Sequence, residues 1–339
     1  MLTFSPKSVT KDWLTDLPER SRKVLTHRFG LSGSGERRTL DAIGKEYGIT
    51  RERIRQIESH GLVTIRGSKN YVTHAPSLES LKKALHELGG VLAEHVLLEK
   101  VPKTESDRNH VMFMLHVGHH FTYKREDNNF HARWYVDPTL AEAVERSLAR
   151  LHDTIELERL IAQEEFVEMF EKYLQDEGVK TPAPAHLATW LLISKRVGKN
   201  PLGEWGRIES PHVRIRNTRD FAYLTLKRHG SPMHFTEVAH TIEKLFGRKT
   251  HPATTHNELI KDGRFVLVGR GLYALKEWGY APGVVREVIK NILEREGPLS
   301  RSEIIERVKR ERYVKDATVM VNLQNDTFVR SSDGRYNIQ

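Results

Sequence analysis

Between Thr39 and Arg66 the chain spells out a short helix, an abrupt turn and a longer helix. Thr39 is placed to cap a helix over Leu40–Tyr47, Gly48 supplies the turn, and Thr50 is placed to cap a second helix from Arg51 to about Arg66. Upstream, Asp12–Phe29 is amphipathic, with apolar Leu14, Leu17, Val24, Leu25 and Phe29. It ends in the Gly/Ser-rich break Leu31-Ser32-Gly33-Ser34-Gly35. Gly67–Pro76 reads as a closing linker. This punctuation predicts a helix-turn-helix unit over residues 1–75.

The rest of the chain repeats that economy of short helices and turns. Residues 76–137 read as helix Leu78–Leu88, a Gly89-Gly90 turn, helices Leu92–Val101 and Asp107–Val117, then a hairpin from His119 to Val136 turning at Glu126–Asn129, which predicts a winged helix. Residues 138–216 form a connector, with two helices across 139–177, another over His186–Val197, and an irregular stretch marked by Pro201, Gly203, Gly206 and Pro211. Two further winged helices occupy 217–279 and 280–339. Their helices are expected over Arg219–His229, Phe235–Phe246 and Ala253–Asp262, then Val284–Glu296, Arg301–Arg310 and Asp316–Asn325, each set closed by a hairpin. Ser300 and Glu303 have capping-box spacing. The fold class expected is mainly α with small β-hairpin wings, built from tandem helix-turn-helix and winged-helix domains.

Composition narrows the class of partner. With 38% hydrophobic and 29% charged residues the chain can build several modest cores, and its apolar runs fall short of the ~20 residues that span a bilayer. A cytoplasmic, nucleoid-associated protein without membrane contact is expected. Zero cysteines exclude disulfides and thiolate zinc sites. Of the net charge of +9, residues 1–75 carry 14 basic against 8 acidic side chains and 217–279 carry 10 against 6, while 76–216 is slightly acidic. Positive ends around a near-neutral middle suit a polyanion gripped at the ends. His116, His119, His120 and His131 invite a metal, but without carboxylates at ligand spacing they read as surface and strand histidines. Trp134, Trp190, Trp205 and Trp278 read as core or domain-junction residues. The chain has no phosphate loop, nucleophile elbow or HExxH motif, so no enzyme, cofactor or metal is expected.

On the helix from Arg51, the side chains of Arg51, Glu52, Arg55 and Gln56 share one stripe, and Ile54, Ile57, Leu62 and Ile65 lie on the other side. Arginine pairs with guanine, glutamine with adenine, and a carboxylate accepts from cytosine, which is the chemistry of major-groove reading. Glu52 among arginines points to base readout, with intrahelical pairing to Arg51 or Arg55 as the plainer alternative.

These residues carry a resemblance. Leu17-Pro18-Glu19-Arg20, Val24-Leu25, Arg28-Phe29-Gly30-Leu31, Thr39–Gly44 and Ile49-Thr50-Arg51-Glu52-Arg53-Ile54-Arg55-Gln56-Ile57-Glu58 are similar to region four of the housekeeping sigma factor family. The resemblance implies base contacts in an upstream (minus-35) promoter element for Arg51, Glu52, Arg55 and Gln56, and backbone contacts for Thr39, Thr50 and Arg53. It also implies docking on the flap of the RNA polymerase β subunit through a surface around Val24, Leu25 and Phe29, although Leu25 and Phe29 read first as core. Sixteen residues precede Leu17, so the sigma domains that melt the downstream element are expected to be absent.

Residues Arg219–Tyr280 resemble the HARE-HTH domain, a winged helix found in the polymerase delta subunit and in chromatin and restriction proteins. The resemblance is carried by Phe221-Ala222, Leu226-Lys227, Pro232–Phe235, His256–Phe265 and Gly269–Leu275. Lys249, Thr254, Thr255, Asn257, Arg264 and Arg270 are candidates there for phosphate or polymerase contact, against a solvated helix face. Together the two resemblances imply a sequence-specific factor that binds double-stranded promoter DNA and core RNA polymerase. The alternatives are a polymerase-independent repressor or architectural protein, and a scaffold whose helix-turn-helix meets protein.

Overall fold

The structure is a computed structural model, which describes residues 2–33, 35–180, 182–280 and 285–339. Ser34 of the Gly/Ser break and Val284, the expected first residue of a helix, lie outside the described residues. The chain divides into two compact units, residues 1–198 with 205–208, and residues 199–204 with 209–339.

The first unit begins with α1 (Pro6–Thr15) and α2 (Glu19–Phe29). The amphipathic stretch over 12–29 is therefore two helices. Pro18 lacks a backbone donor and disfavours helical geometry at Leu17, so the chain breaks there and restarts with Pro18 as the α2 N-cap. Next come α3 (Leu40–Tyr47) and α4 (Arg51–Arg66). Thr39 Oγ1 accepts from the Ala42 amide at 3.1 Å and Thr50 Oγ1 from the Arg53 amide at 3.2 Å, so both caps form as read. Gly48 closes α3 at φ +63°, a left-handed conformation. Gly44 has a different duty: a Cβ there would lie 2.7 Å from the Ile49 carbonyl oxygen, so the turn folds back over α3 only without a side chain. The stretch 67–76 is ordered as α5 (Lys69–Thr73), capped by Ser68, and the start of α6 (Ala75–Glu87).

The winged helix expected over 76–137 is formed by α6, β1 (Val91–Ala93), α7 (Glu94–Lys100), α8 (Glu105–Val117), β2 (Thr122–Lys124) and β3 (Arg133–Tyr135). The helix expected from Leu92 starts later, because Val91, Leu92 and Ala93 pair with Tyr135, Trp134 and Arg133. Then α9 (Pro138–Thr154), α10 (Gln163–Asp176), α11 (Pro184–Leu191), β4 (Val197–Lys199) and β5 (Trp205–Arg207) follow. Trp134, Trp190 and Trp205 are buried, as read, with Trp205 stacked on Phe166 at 4.7 Å.

One hydrophobic core runs through this unit from Leu2 to Trp205. The segment boundaries drawn at 75 and 137 therefore mark changes of supersecondary plan, while the side chains on either side pack together. Helix α8 is the reason. His110 to Leu115 and Val117 are buried around the whole helix, one side in the winged helix and the other against α1, α2 and α4. Phe113 meets Phe29 at 5.0 Å and Trp13 at 6.3 Å, and Thr10 Oγ1 lies 2.6 Å from His110 Nδ1. The Arg66 guanidinium donates to the carbonyls of His116 (2.7 Å) and Val117 (2.8 Å), placing a cation at the C-terminal end of α8.

In the second unit, α12 (Thr218–His229), β6 (Met233–His234), α13 (Phe235–Phe246), α14 (Pro252–Lys261), β7 (Phe265–Gly269) and β8 (Leu272–Leu275) make one winged helix. A single 3-10 turn follows at Lys276–Trp278. Helices α15 (Val285–Glu296), α16 (Arg301–Glu311) and α17 (Asp316–Leu323) with β9 (Phe328–Arg330) and β10 (Tyr336–Ile338) make another, whose core is centred on Val288, Ile292, Ile304 and Val308. The Ser300–Glu303 capping box is present. Strand order is the same in every case: β1-β3-β2, β6-β8-β7, and a Leu299–Tyr336 bridge beside β10-β9. The repetition seen in the last two segments thus extends to a third copy over 76–137.

Candidate nucleic-acid interface

Helix α4 is sorted by burial as its sequence predicts. Ile54 joins Val24 and Ile43 in a small core flanked by Leu40, Tyr47, Ile49 and Ile57, and Ile65 with Leu62 packs into the large one. Arg51, Glu52, Arg53, Arg55 and Gln56 are exposed. Thr39 and Thr50 are exposed as well, at the N-terminal ends of the two helices, where backbone amides point outward.

The exposed stripe is internally paired. The Arg55 guanidinium grips Glu52 with Nη2–Oε1 at 2.7 Å and Nε–Oε2 at 2.9 Å, and Arg53 Nη1 donates to Gln56 Oε1 at 3.0 Å. The Arg55 hydrogen bond is the main cause holding the Glu52 carboxyl below its ordinary value. Intrahelical pairing therefore exists in the free protein and presets the rotamers of Glu52 and Arg55 on the same face.

Beside this stripe opens a cleft of about 590 Å³ that the sequence reading missed. Arg51 and Arg55 of α4, Arg28 of α2, Arg37 of the α2–α3 connection, and Tyr123 and Arg125 of the β2–β3 wing all line it. Glu58 faces the same space, 3.5 Å from Arg28 Nε; burial pushes its carboxyl up and Arg28 opposes that shift. Burial lowers the Arg37 guanidinium from its ordinary value, and neighbouring Arg28 adds to that. The available signal was α8 itself: His110–Val117 is apolar on every side, which marks a helix buried on both faces.

Val24, Leu25 and Phe29 are interior, at 0, 0 and 5% exposure. The docking surface implied around them is thus corrected: Val24 packs under α3 and α4, while Leu25 and Phe29 belong to the core that includes α8. His116, His119, His120 and His131 are scattered among separate partners. His116 Nδ1 bonds the Met112 carbonyl, His119 faces Tyr71, His120 pairs with Glu79, and His131 lies against His95. Among the described residues no group of three or more His, Asp or Glu side chains is placed to hold a metal ion. Among the same residues no helix is long and apolar enough to cross a membrane.

In the second unit, Lys249, Thr254, Asn257 and Arg270 are exposed around α14 and the β7–β8 turn. Thr255 and Arg264 are not available in the same way. Thr255 is fully buried, its hydroxyl donating to the His251 carbonyl at 3.3 Å. Arg264 is held between Asp262 (2.7 Å) and Asp220 (2.8 Å), with its guanidinium 5.4 Å from the Tyr223 ring centroid. Asp220 also accepts from the amides of Arg216 and Asn217, so this cluster ties the start of β7 to the start of α12. The expected second surface therefore reduces to four residues, because the other two satisfy the fold.

The folds define a protein of tandem helix-turn-helix and winged-helix modules. Residues 13–67 match the family model of Sigma-70, region 4, and residues 217–278 match that of HARE-HTH, a helix-turn-helix domain of ASXL and restriction endonuclease proteins. The chain is similar to RNA polymerase sigma factor SigA of a Bacillus species, 50% identical over 60 residues, which are 18% of this chain and 16% of that one. It is also similar to RNA polymerase principal sigma factor HrdD of Streptomyces viridifaciens, 39% identical over 66 residues and 20% of each chain. The likeness to these curated relatives thus spans a fifth or less of their length. No solved structure matches the chain.

Proposed function

We propose that this chain is a sequence-specific DNA-binding transcription factor that docks on bacterial RNA polymerase and modulates initiation. One observation carries the reading: α4, capped by Thr50 behind the glycine turn at Gly48, presents Arg51, Glu52, Arg55 and Gln56 on one exposed face. The matched sigma region and the HARE-HTH segment support a role in transcription. Selection of duplexes from a random pool tests it. A preferred site should emerge, and Arg55→Ala or Gln56→Ala should cost about 1–3 kcal/mol per base pair read and relax choice at that pair. Equal binding to selected and scrambled duplexes would sink it.

A second reading, a polymerase-independent DNA-binding protein, is favoured by the burial of Val24, Leu25 and Phe29 inside the chain's own core. Polymerase contact would then have to use other surfaces, such as Lys249, Thr254, Asn257 and Arg270. Pull-down with core polymerase at low salt separates the two. Recovery of polymerase supports the first, and its absence beside intact DNA binding supports the second.

A further inference from the structure

We infer that the wing of the middle winged helix, through Arg125, and the α2–α3 connection, through Arg37, grip the phosphate backbone of the same duplex whose bases α4 reads. This rests on the reading of α4 as a DNA-reading helix.

The juxtaposition is tertiary. Arg125 is about 70 residues from Arg51 and Arg55 in sequence, yet all three line one cleft, with Arg37 on the same wall. Five arginines face that space against Glu58 and Glu94. Glu58 is already paired with Arg28, and Glu94 accepts from the Trp134 indole at 3.2 Å. The balance is a positive strip continuous with the exposed face of α4, matched to a polyanion that passes along the helix.

Both arginines stand on fixed supports. The Arg37 side chain donates through Nε to Asn109 Oδ1 at 2.6 Å, and Asn109 also holds the carbonyls of Gly30 and Gly35 at 3.0 and 2.7 Å. The turn that follows Arg125 is pinned three ways. Lys195 Nζ pairs with Glu126 at 2.6 Å, Asp127 accepts from the amides of Asn129 and Phe130, and buried Arg133 joins Asp127 to Glu145 of α9. A wing held this way projects Arg125 with little conformational entropy left to lose on binding. Arg37 is partly desolvated beside the like charge of Arg28, a cost that an entering phosphate relieves.

The middle winged helix has changed its mode of use. Its third helix, α8, which in this architecture is the one that enters a groove, is buried against α1, α2 and α4. Only its wing remains for DNA, and the packing of α8 is what carries that wing to the side of α4.

The test uses the full chain, a duplex it selects from a random pool, and a scrambled duplex, titrated over a salt series. Arg125→Ala and Arg37→Ala should each weaken both duplexes by the same factor, lower the slope of log K against log salt by about 0.9, and leave the preference ratio unchanged. Arg125→Lys, which keeps a point charge, should recover most of the affinity, whereas a purely structural role for Arg125 would give no such recovery. Arg55→Ala is the internal reference, since it should change the preference ratio. If Arg125→Ala leaves affinity and slope intact while Arg55→Ala collapses preference, the inference is overturned and α4 still reads DNA. An Arg125→Ala effect on the ratio would make Arg125 a base reader and overturn the phosphate assignment. If no duplex is preferred and Arg55→Ala changes nothing, the reading of α4 fails and the inference falls with it.

Discussion

The rings of Phe29, at the end of α2, and Phe113, in the middle of α8, meet at 5.0 Å inside the core. The first belongs to the sigma-like helix-turn-helix, the second to the winged helix that follows. Their contact makes the two motifs one folding unit, and it hides a residue that the sequence resemblance placed on a docking surface.

Phe113→Ala should therefore destabilise the whole first unit by about 3–5 kcal/mol, the usual cost of emptying a phenylalanine site in a core. Urea unfolding followed by probes in α2 and in α9 should give coincident, equally shifted midpoints. A shift confined to one probe would mean that the motifs fold separately.

Thr50→Ala should cost about 1 kcal/mol, because it removes the acceptor for the Arg53 amide at the start of α4; Thr50→Ser should restore most of it. Thr39→Ala should behave alike for α3. Thermal unfolding checks both pairs, and a serine variant no better than alanine would contradict the capping role.

Stability of the first unit should fall as the medium is acidified below about pH 6.5. Burial lowers His110, His116 and His131 below their ordinary value of 6.5, so the unfolded chain takes up protons that the folded one resists. The contribution is complete above the unfolded value and is lost as pH falls toward the folded ones. Melting temperatures from pH 7.5 to 5.5 test the sign, and His131→Gln should flatten the dependence in part. A melting temperature that rises on acidification would contradict it.

Arg264→Met should cost stability in the second unit with little effect on DNA affinity. It strips Asp220 of its cation partner; the loss should be about 1–3 kcal/mol, below that of a fully buried pair because Arg264 keeps some solvent contact. Arg270→Ala, on an exposed turn, should stay within about 0.5 kcal/mol of the parent. Denaturant midpoints distinguish the two, and equal effects would remove the structural assignment of Arg264.

The legible parts of the molecule were those with local causes. Thr39, Gly48 and Thr50 act within a few residues of themselves, and the stripe of Arg51, Glu52, Arg55 and Gln56 follows from helical period alone. The break at Pro18 was equally local, though the periodicity of Asp12–Phe29 obscured it. Thr255 and Arg264 misled because a polar side chain on a third helix or strand looks the same whether it faces solvent or a partner far away in the sequence, as Arg264 faces Asp220.

The sequence by itself determined the helices, the turns, the winged-helix plan and the chemistry of α4, because propensity, capping and period are properties of neighbouring residues. Only the tertiary structure decided that α8 is buried on both sides. That burial is settled by which apolar faces meet, a non-local outcome of packing. It removes Phe29 from the surface and brings Arg125 to the side of Arg51.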